Sequence, residues 1–188
     1  YVAPARADKV SVETFGSQKG ALLEVKAGTG IGDDYLNLQY FTRVRRFRGY
    51  DGNNTAFMQN ELSVGGLAGF RAVGQGRLVG DTLVPQAGVS YSTALGAGKG
   101  YAALTSSIES PRLAELLLTA SQPLAPRLSA EGEQVLWANE DVRKGSSRAH
   151  LGFKVADGIT VGLAGELDYG RGLPTLYRAG AFVRVGGK

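Results

Sequence analysis

Hydrophobic and polar residues alternate along most of the chain, and the longest strictly alternating run extends from Tyr35 to Tyr50. Successive side chains of a β-strand point to opposite faces, so this run divides into an apolar face and a polar face. The apolar face carries Leu36, Leu38, Tyr40, Thr42 and Val44, and the polar face carries Asn37, Gln39, Phe41, Arg43, Arg45 and Phe47. Such a strand fits a soluble barrel or sandwich, whose apolar face fills a core, or a membrane barrel, whose apolar face contacts lipid.

The same alternation recurs on both sides of this run and predicts about twelve strands joined by short turns. Glycine-rich segments such as 16–20 and 96–100 separate the alternating runs, and an Asp-Gly pair at 157–158 is typical of a hairpin turn. No linker or change of composition interrupts the pattern. We therefore expect residues 1–188 to form a single all-β domain.

The segment 110–138 allows two interpretations. Ser110 and Pro111 have the residue types of a helix cap and first helical position, so a helix could begin there. The segment could instead form two strands that meet at a turn over 122–126. The two runs match in length, which favours the strands.

Composition narrows the possible chemistry. The chain of 188 residues contains 28 glycines and no cysteine, which excludes disulfides, thiol catalysis and cysteine-based metal sites. No segment approaches the roughly 18 consecutive apolar residues of a membrane helix, so the chain would cross a membrane only as a barrel. A net charge of +4 favours an anionic partner.

The polar faces of the predicted strands carry charges of both signs, which a narrow water-filled lumen would allow to pair. We predict that the following residues line such a lumen: Lys26, Arg43, Arg45, Arg71, Arg77, Arg148, Lys154, Arg178 and Arg184, with Glu24, Glu61, Glu166 and Asp168. Basic residues outnumber acidic ones in this set, so the lumen should favour anions. The opposite faces are rich in alanine and glycine, which pack a core poorly but are tolerated against lipid.

Aromatic residues fall near many of the predicted strand ends, where a membrane barrel places its interfacial girdles. These residues are Phe15, Tyr35, Tyr50, Phe57, Tyr91, Tyr101, Tyr169 and Tyr177. A closed barrel has no edge strands, so it can cross a bilayer with every backbone group paired. The pattern therefore predicts a closed antiparallel up-and-down transmembrane β-barrel of about twelve strands.

The succession of hairpins, such as 118–129 and 153–161, resembles the small bacterial outer-membrane β-barrels over the whole chain. Members with about twelve strands include narrow porins for acidic oligosaccharides, which have basic lumens, and barrel domains of polysaccharide-export proteins. The resemblance implies a location in the bacterial outer membrane and a lipid bilayer as the principal partner. It also implies a small anionic solute or an acidic oligosaccharide as cargo.

Catalytic chemistry has little support in the sequence. His150 is the single histidine, and a Ser-His-Asp site with Ser146 or Ser147 and Asp168 would have to use it. It lies within a strand near basic residues, which disfavour a general base, so we interpret it as a polar residue of the lumen. We expect no catalytic residue, metal or cofactor. The arginine-rich segment 43–48 alternates between faces, so we also expect no nucleic-acid partner.

These observations favour a non-enzymatic outer-membrane pore for small anionic solutes or oligosaccharides. The sequence also allows two other functions. The barrel could be a non-conducting membrane anchor or assembly component for surface polysaccharide. It could also be a soluble ligand-binding barrel.

Overall fold

A computed structural model describes residues 6–17, 20–32, 36–48, 54–79, 82–109, 113–139 and 143–186. The strands are β1 (Arg6–Ser17), β2 (Gly20–Gly32), β3 (Leu36–Arg48), β4 (Asn54–Gly66), β5 (Phe70–Val79), β6 (Thr82–Leu95), β7 (Gly98–Ser107), β8 (Ala114–Ala125), β9 (Leu128–Ala138), β10 (Arg143–Ala156), β11 (Ile159–Gly170) and β12 (Leu173–Gly186). Each strand pairs antiparallel with the next, and β12 pairs with β1, which closes the barrel. The predicted closed meander of about twelve strands is confirmed. No helix within the described residues is long and apolar enough to span a membrane.

The ambiguous segment forms strands. Its described part contains β8 and β9, which pair with Leu116 opposite Leu136. The turn lies at 126–127, a few residues later than the predicted turn over 122–126, because β8 continues through Pro123. Proline lacks a backbone donor and is tolerated near strand ends and bulges, and the register of the pair shifts beside Pro123. Residues 110–112, where the helix alternative would begin, lie outside the described residues.

The barrel has an apolar exterior and a polar interior. Among the side chains that the structure describes, seventeen polar or charged ones are buried, against six apolar ones. Large apolar side chains lie on the outside instead, such as Leu163 (68% exposed) and Val89 (59% exposed). A soluble barrel would bury these residues in its core. The observed arrangement is that of a barrel whose outer surface contacts hydrocarbon.

The meander places alternate turns at opposite ends of the barrel. We call the end at which β1 begins and β12 ends the terminal end. The two-residue turns at 96–97, 126–127 and 157–158 lie there. Gly158 has φ +75°, a left-handed conformation that glycine adopts without steric cost and that allows so short a turn.

The outward orientation of Leu151, which pairs with Leu163 and Ala130, gives a test of the lipid-facing surface. We expect Leu151→Arg to lower the free energy of unfolding in lipid vesicles by about 2–4 kcal/mol, because the guanidinium would face hydrocarbon. Leu124→Arg is the matched control beside the turn at the terminal end, where the loss should be about 0–1 kcal/mol. Urea titrations followed by the fluorescence of Trp137, the single tryptophan, measure both values. Equal losses at the two positions would contradict a lipid-facing Leu151.

Candidate functional site

The inward faces of the strands bring most of the predicted lumen residues together. Side chains on the inner surface include Glu24, Lys26, Arg43, Glu61, Arg71, Arg77, Arg148, Glu166, Asp168 and Arg178. Arg184 is also inside, nearer the terminal end, and its Nη1 donates to Glu131 Oε2 over 2.9 Å. The side chain of Arg45 lies outside the described residues.

Lys154 is set apart from the other predicted lumen residues. Its side chain is 49% exposed, and its Nζ lies 2.7 Å from Asp157 Oδ1 at the turn after β10. The hydrogen bond from Lys154, together with its charge, holds the pKa of Asp157 below its usual range. This ion pair lies at the terminal end of the barrel and is exposed to water.

Arg148 on β10 is the centre of a buried charge cluster. Its Nε donates to Glu166 Oε2 over 2.9 Å, and its Nη2 donates to Glu24 Oε2 over 3.2 Å. Its Nη1 lies 3.3 Å from Glu13 Oε2. Glu13 and Glu24 are fully buried, and Arg148 is 4% exposed. One guanidinium therefore pairs with three carboxylates that are shielded from water, and Lys26, Arg178 and His150 contact the same carboxylates from other sides.

The cluster continues along β11 and β12 and across to β1. Arg178 donates to both Glu166 and Asp168. On the other side, His150 Nε2 lies 3.0 Å from Glu13 Oε2, so the histidine belongs to the cluster as a buried polar residue. Ser146 and Asp168 also face the interior. Within the described residues, no three histidine, aspartate or glutamate side chains converge as metal ligands.

Phe182 covers this cluster on one side. The ring is 3% exposed and meets the His150 ring edge-on, with centroids 5.2 Å apart. Gly162 and Gly152 lie beside it, and a Cβ on Gly162 would come within 2.6 Å of the Phe182 ring. The glycines therefore make room for an apolar ring inside a polar lumen. The ring keeps water from the Glu13 carboxylate, which strengthens the ion pairs.

An ion pair crosses the lumen from β3 to β9. Arg43 Nη2 lies 2.9 Å from Glu133 Oε2, although the two residues are 90 positions apart in sequence. Five strands lie between β3 and β9 in either direction around the ring, so the pair joins opposite walls. Lys26 Nζ lies 3.5 Å from the same Glu133 oxygen. This bridge divides the lumen at its height into two parts.

The two parts of the lumen differ. The part bounded by β10, β11, β12, β1 and β2 contains the charge cluster. The part bounded by β3 to β9 contains a cavity of about 510 Å³. Its lining includes the aromatic side chains of Phe41, Tyr101 and Trp137 together with Arg77 and Lys144. A passage through the barrel would therefore run off the axis, along the β3–β9 wall.

Ion pairs and hydrogen bonds also order the cavity wall. Arg77 and the indole Nε1 of Trp137 both donate to the Glu115 carboxylate. The Lys144 ammonium lies 5.4 Å from the Trp137 ring centroid. Tyr101 Oη donates to Glu61 Oε1 over 3.4 Å. The cavity thus presents flat aromatic faces beside charges of both signs.

A row of neutral amides forms the wall between these charges. Gln59 Nε2 donates to Gln75 Oε1 over 2.6 Å, and Gln75 Nε2 donates to Thr105 Oγ1 over 2.9 Å and to the carbonyl of the Gln86 side chain. All four residues are buried. This part of the inner surface is polar without contributing net charge.

The sequence-based set of lumen residues omitted four acids that face the interior, Glu13, Glu115, Glu131 and Glu133. Glu13 shares an alternating face with Ser11, so the period of two could have identified it. The other three fall in the ambiguous segment 110–138. Lys144 was also omitted. The inward side chains named so far carry eight basic and eight acidic groups, and Lys99 and Lys154 are exposed bases at further inward register positions near the terminal end. The expected excess of basic residues therefore stays a prediction.

The predicted aromatic girdle is only partly supported. Tyr91 and Tyr177 are exposed on the outer surface. Tyr101 was placed wrongly, because it faces the interior and lines the cavity. Its strand, β7, follows a glycine-rich turn that obscured the alternation. Tyr35, Tyr50 and the side chains of Phe15 and Phe57 lie outside the described residues.

A closed barrel with an apolar exterior, a charged interior and an off-axis cavity has the architecture of a transmembrane barrel. The fold is similar to that of a solved structure described as "KdgM porin in complex with disordered oligogalacturonate", with a TM-score of 0.67 and 6% sequence identity over 96% of this chain and 99% of that chain. A second structure, "KdgM porin", has a TM-score of 0.66 and 7% identity over the same shares of the two chains. At these identities the likeness shows a common fold. The sequence matches no protein-family model and no curated protein.

The dependence of three buried carboxylates on Arg148 can be tested by removing its charge. We expect Arg148→Leu to lower the free energy of unfolding by about 3–5 kcal/mol, because it removes the buried counter-ion that three buried carboxylates share. Lys154→Leu is the matched control on the same strand, and loss of its exposed pair should cost about 0–1 kcal/mol. Urea titrations in lipid vesicles provide both values. A loss at Arg148 no larger than that at Lys154 would show that the cluster is not a stabilising network.

Proposed function

We propose that this protein is a non-enzymatic pore of the bacterial outer membrane for small anionic solutes, and in particular for acidic oligosaccharides. The observation that carries the proposal is the combination of an apolar exterior with a charged interior in a closed barrel. A barrel of about eight strands is filled by its own side chains, and larger barrels begin to open a channel. Twelve strands with a cavity of about 510 Å³ fit a narrow channel.

The distribution of the charges supports an anionic solute even though the eight bases and eight acids named above balance. Four inward acids are buried within ion pairs, namely Glu13, Glu24, Glu115 and Glu166, against three basic residues, Arg77, Arg148 and Arg178. The partly or fully exposed inward set contains Lys26, Arg43, Arg71, Lys144 and Arg184, against Glu61, Glu131, Glu133 and Asp168. Water-accessible charges act most directly on a passing ion. Their small basic excess favours anions.

The lining of the cavity suits a sugar acid. Trp137, Tyr101 and Phe41 present flat apolar faces that can contact the C–H faces of sugar rings. Lys144 lies beside them as a partner for a carboxylate, and Arg77 adds positive charge from its ion pair with Glu115. The presence of oligogalacturonate in a structure with a similar fold agrees with this solute class.

One observation favours the second candidate, a non-conducting membrane barrel that anchors or assembles other components. The Arg43–Glu133 pair crosses the lumen and narrows the space available to a solute. A barrel that served only as an anchor would tolerate such a bridge permanently. Electrical recording separates the two functions.

Planar-bilayer recordings in a potassium chloride gradient should give a reversal potential that favours anions, and the preference should weaken at high salt because of screening. Lys144→Glu, in the cavity wall, should move the reversal potential toward that of potassium. Arg46→Glu makes the same charge change on the outer face of β3, since Arg46 is exposed and lies an odd number of positions from inward Arg43. It should leave the reversal potential nearly unchanged. Folded protein without conductance would favour the anchor function.

A further inference from the structure

We propose that Arg43 and Lys26 form a carboxylate-binding subsite, and that Glu133 occupies it as an internal substitute for the solute. This inference rests on the proposed pore function. In the structure the Glu133 carboxylate narrows the lumen at the bridge. A solute carboxylate that takes its place on Arg43 and Lys26 releases β9 from β3 and widens the passage.

The geometry of the subsite is that of a carboxylate receptor. Arg43 Nη2 lies 2.9 Å and Lys26 Nζ lies 3.5 Å from the same Glu133 oxygen. A guanidinium and an ammonium that converge on one carboxylate form charge-assisted hydrogen bonds, the strongest kind available to a sugar acid. All three side chains also line the cavity of about 510 Å³, so a solute inside the cavity reaches them directly.

Differences in burial identify Glu133 as the exchangeable partner. The side chain of Glu24 is fully buried, and its Oε1 lies 3.0 Å from Lys26 Nζ. That of Glu133 is 10% exposed, and that of Arg43 is 11% exposed. Glu24 is also held by Arg148, which fixes it in the cluster. Displacing Glu133 therefore leaves Lys26 paired with Glu24, and the released Glu133 carboxylate moves into the cavity that its side chain already lines.

The position of the bridge links binding to opening. Because Arg43 and Glu133 lie on opposite walls, their separation removes an obstacle that crosses the lumen from β3 to β9. A neutral sugar has no carboxylate to compete with Glu133 and would leave the bridge in place. The subsite would thus distinguish acidic from neutral sugars by opening only for the former.

The experiment records single-channel conductance in planar bilayers while galacturonate, or galactose as the neutral control, is added at constant ionic strength. For the wild type we expect galacturonate, and not galactose, to raise the conductance. For Glu133→Gln we expect a basal conductance raised severalfold and no further increase with galacturonate. Galacturonate should also bind Glu133→Gln about tenfold more tightly, since one charge-assisted competitor is gone.

Glu131→Gln is the matched control, because Glu131 lies on the same face of β9 two residues away and pairs with Arg184 on β12 instead of crossing the lumen. Removing either inward charge changes the field in the lumen, so the deciding measurement is the response to galacturonate. The subsite predicts that this response is lost in Glu133→Gln and kept in Glu131→Gln, whereas a general electrostatic effect predicts the same response in both variants. Glu133→Asp, with a shorter side chain of the same charge, should raise the basal conductance as well. It provides a second test if the glutamine variant does not fold.

The outcomes separate the two proposals. If the wild type conducts but responds equally to galacturonate and galactose, the subsite is refuted and the pore stands. A full galacturonate response in Glu133→Gln refutes the subsite in the same way. If wild-type protein and both Glu133 variants are folded, as judged by heat-dependent gel mobility, and all are silent, the pore function fails together with the subsite.

Discussion

The structure depends on one constraint, the pairing of every backbone donor and acceptor of the spanning strands. Hydrocarbon supplies no hydrogen bonds, so a sheet that crosses a bilayer must close on itself. Here closure is made by the pairing of β1 with β12, from Lys9 opposite Gly186 to Gly16 opposite Ala179. Closure fixes an inside and an outside, and the alternation of side chains then assigns each residue to one of them. The apolar exterior and the charged lumen are two consequences of the same ring.

A narrow lumen forces its charges to pair. Arg148 holds three carboxylates, and two of them are fully buried, so that part of the interior is filled by paired side chains. The glycine-framed ring of Phe182 seals it further. Concentrating the ion pairs against β10–β2 leaves the cavity along β3–β9. The ion pairs that stabilise the barrel and the cavity through which a solute would pass therefore lie on different sides of the lumen.

The Arg43–Glu133 bridge lies at the boundary between these two sides. Its members are partly exposed, whereas Glu13 and Glu24 in the adjacent cluster are fully buried. An ion pair at such a boundary exchanges partners at lower cost than a buried one, because water solvates the released carboxylate. The same pair can therefore narrow the lumen and yield to a competing anion. A fully buried ion pair inside the cluster would narrow the lumen but would not exchange its carboxylate for that of a solute.

The sequence by itself determined the class of fold and the facing of most side chains, since a period of two is a local property of each strand. It placed Lys26, Arg43 and Arg148 on inward faces, and it predicted about twelve strands. Only the tertiary structure decided which inward residues meet, because alternation carries no information about which strands lie opposite each other in the ring. The Arg43–Glu133 pair spans 90 positions, and Glu133 belongs to the segment whose local pattern also allowed a helix. Tyr101 and Lys154 show the same limit, because strand ends and turns, where the alternation weakens, decide whether a side chain reaches the lumen.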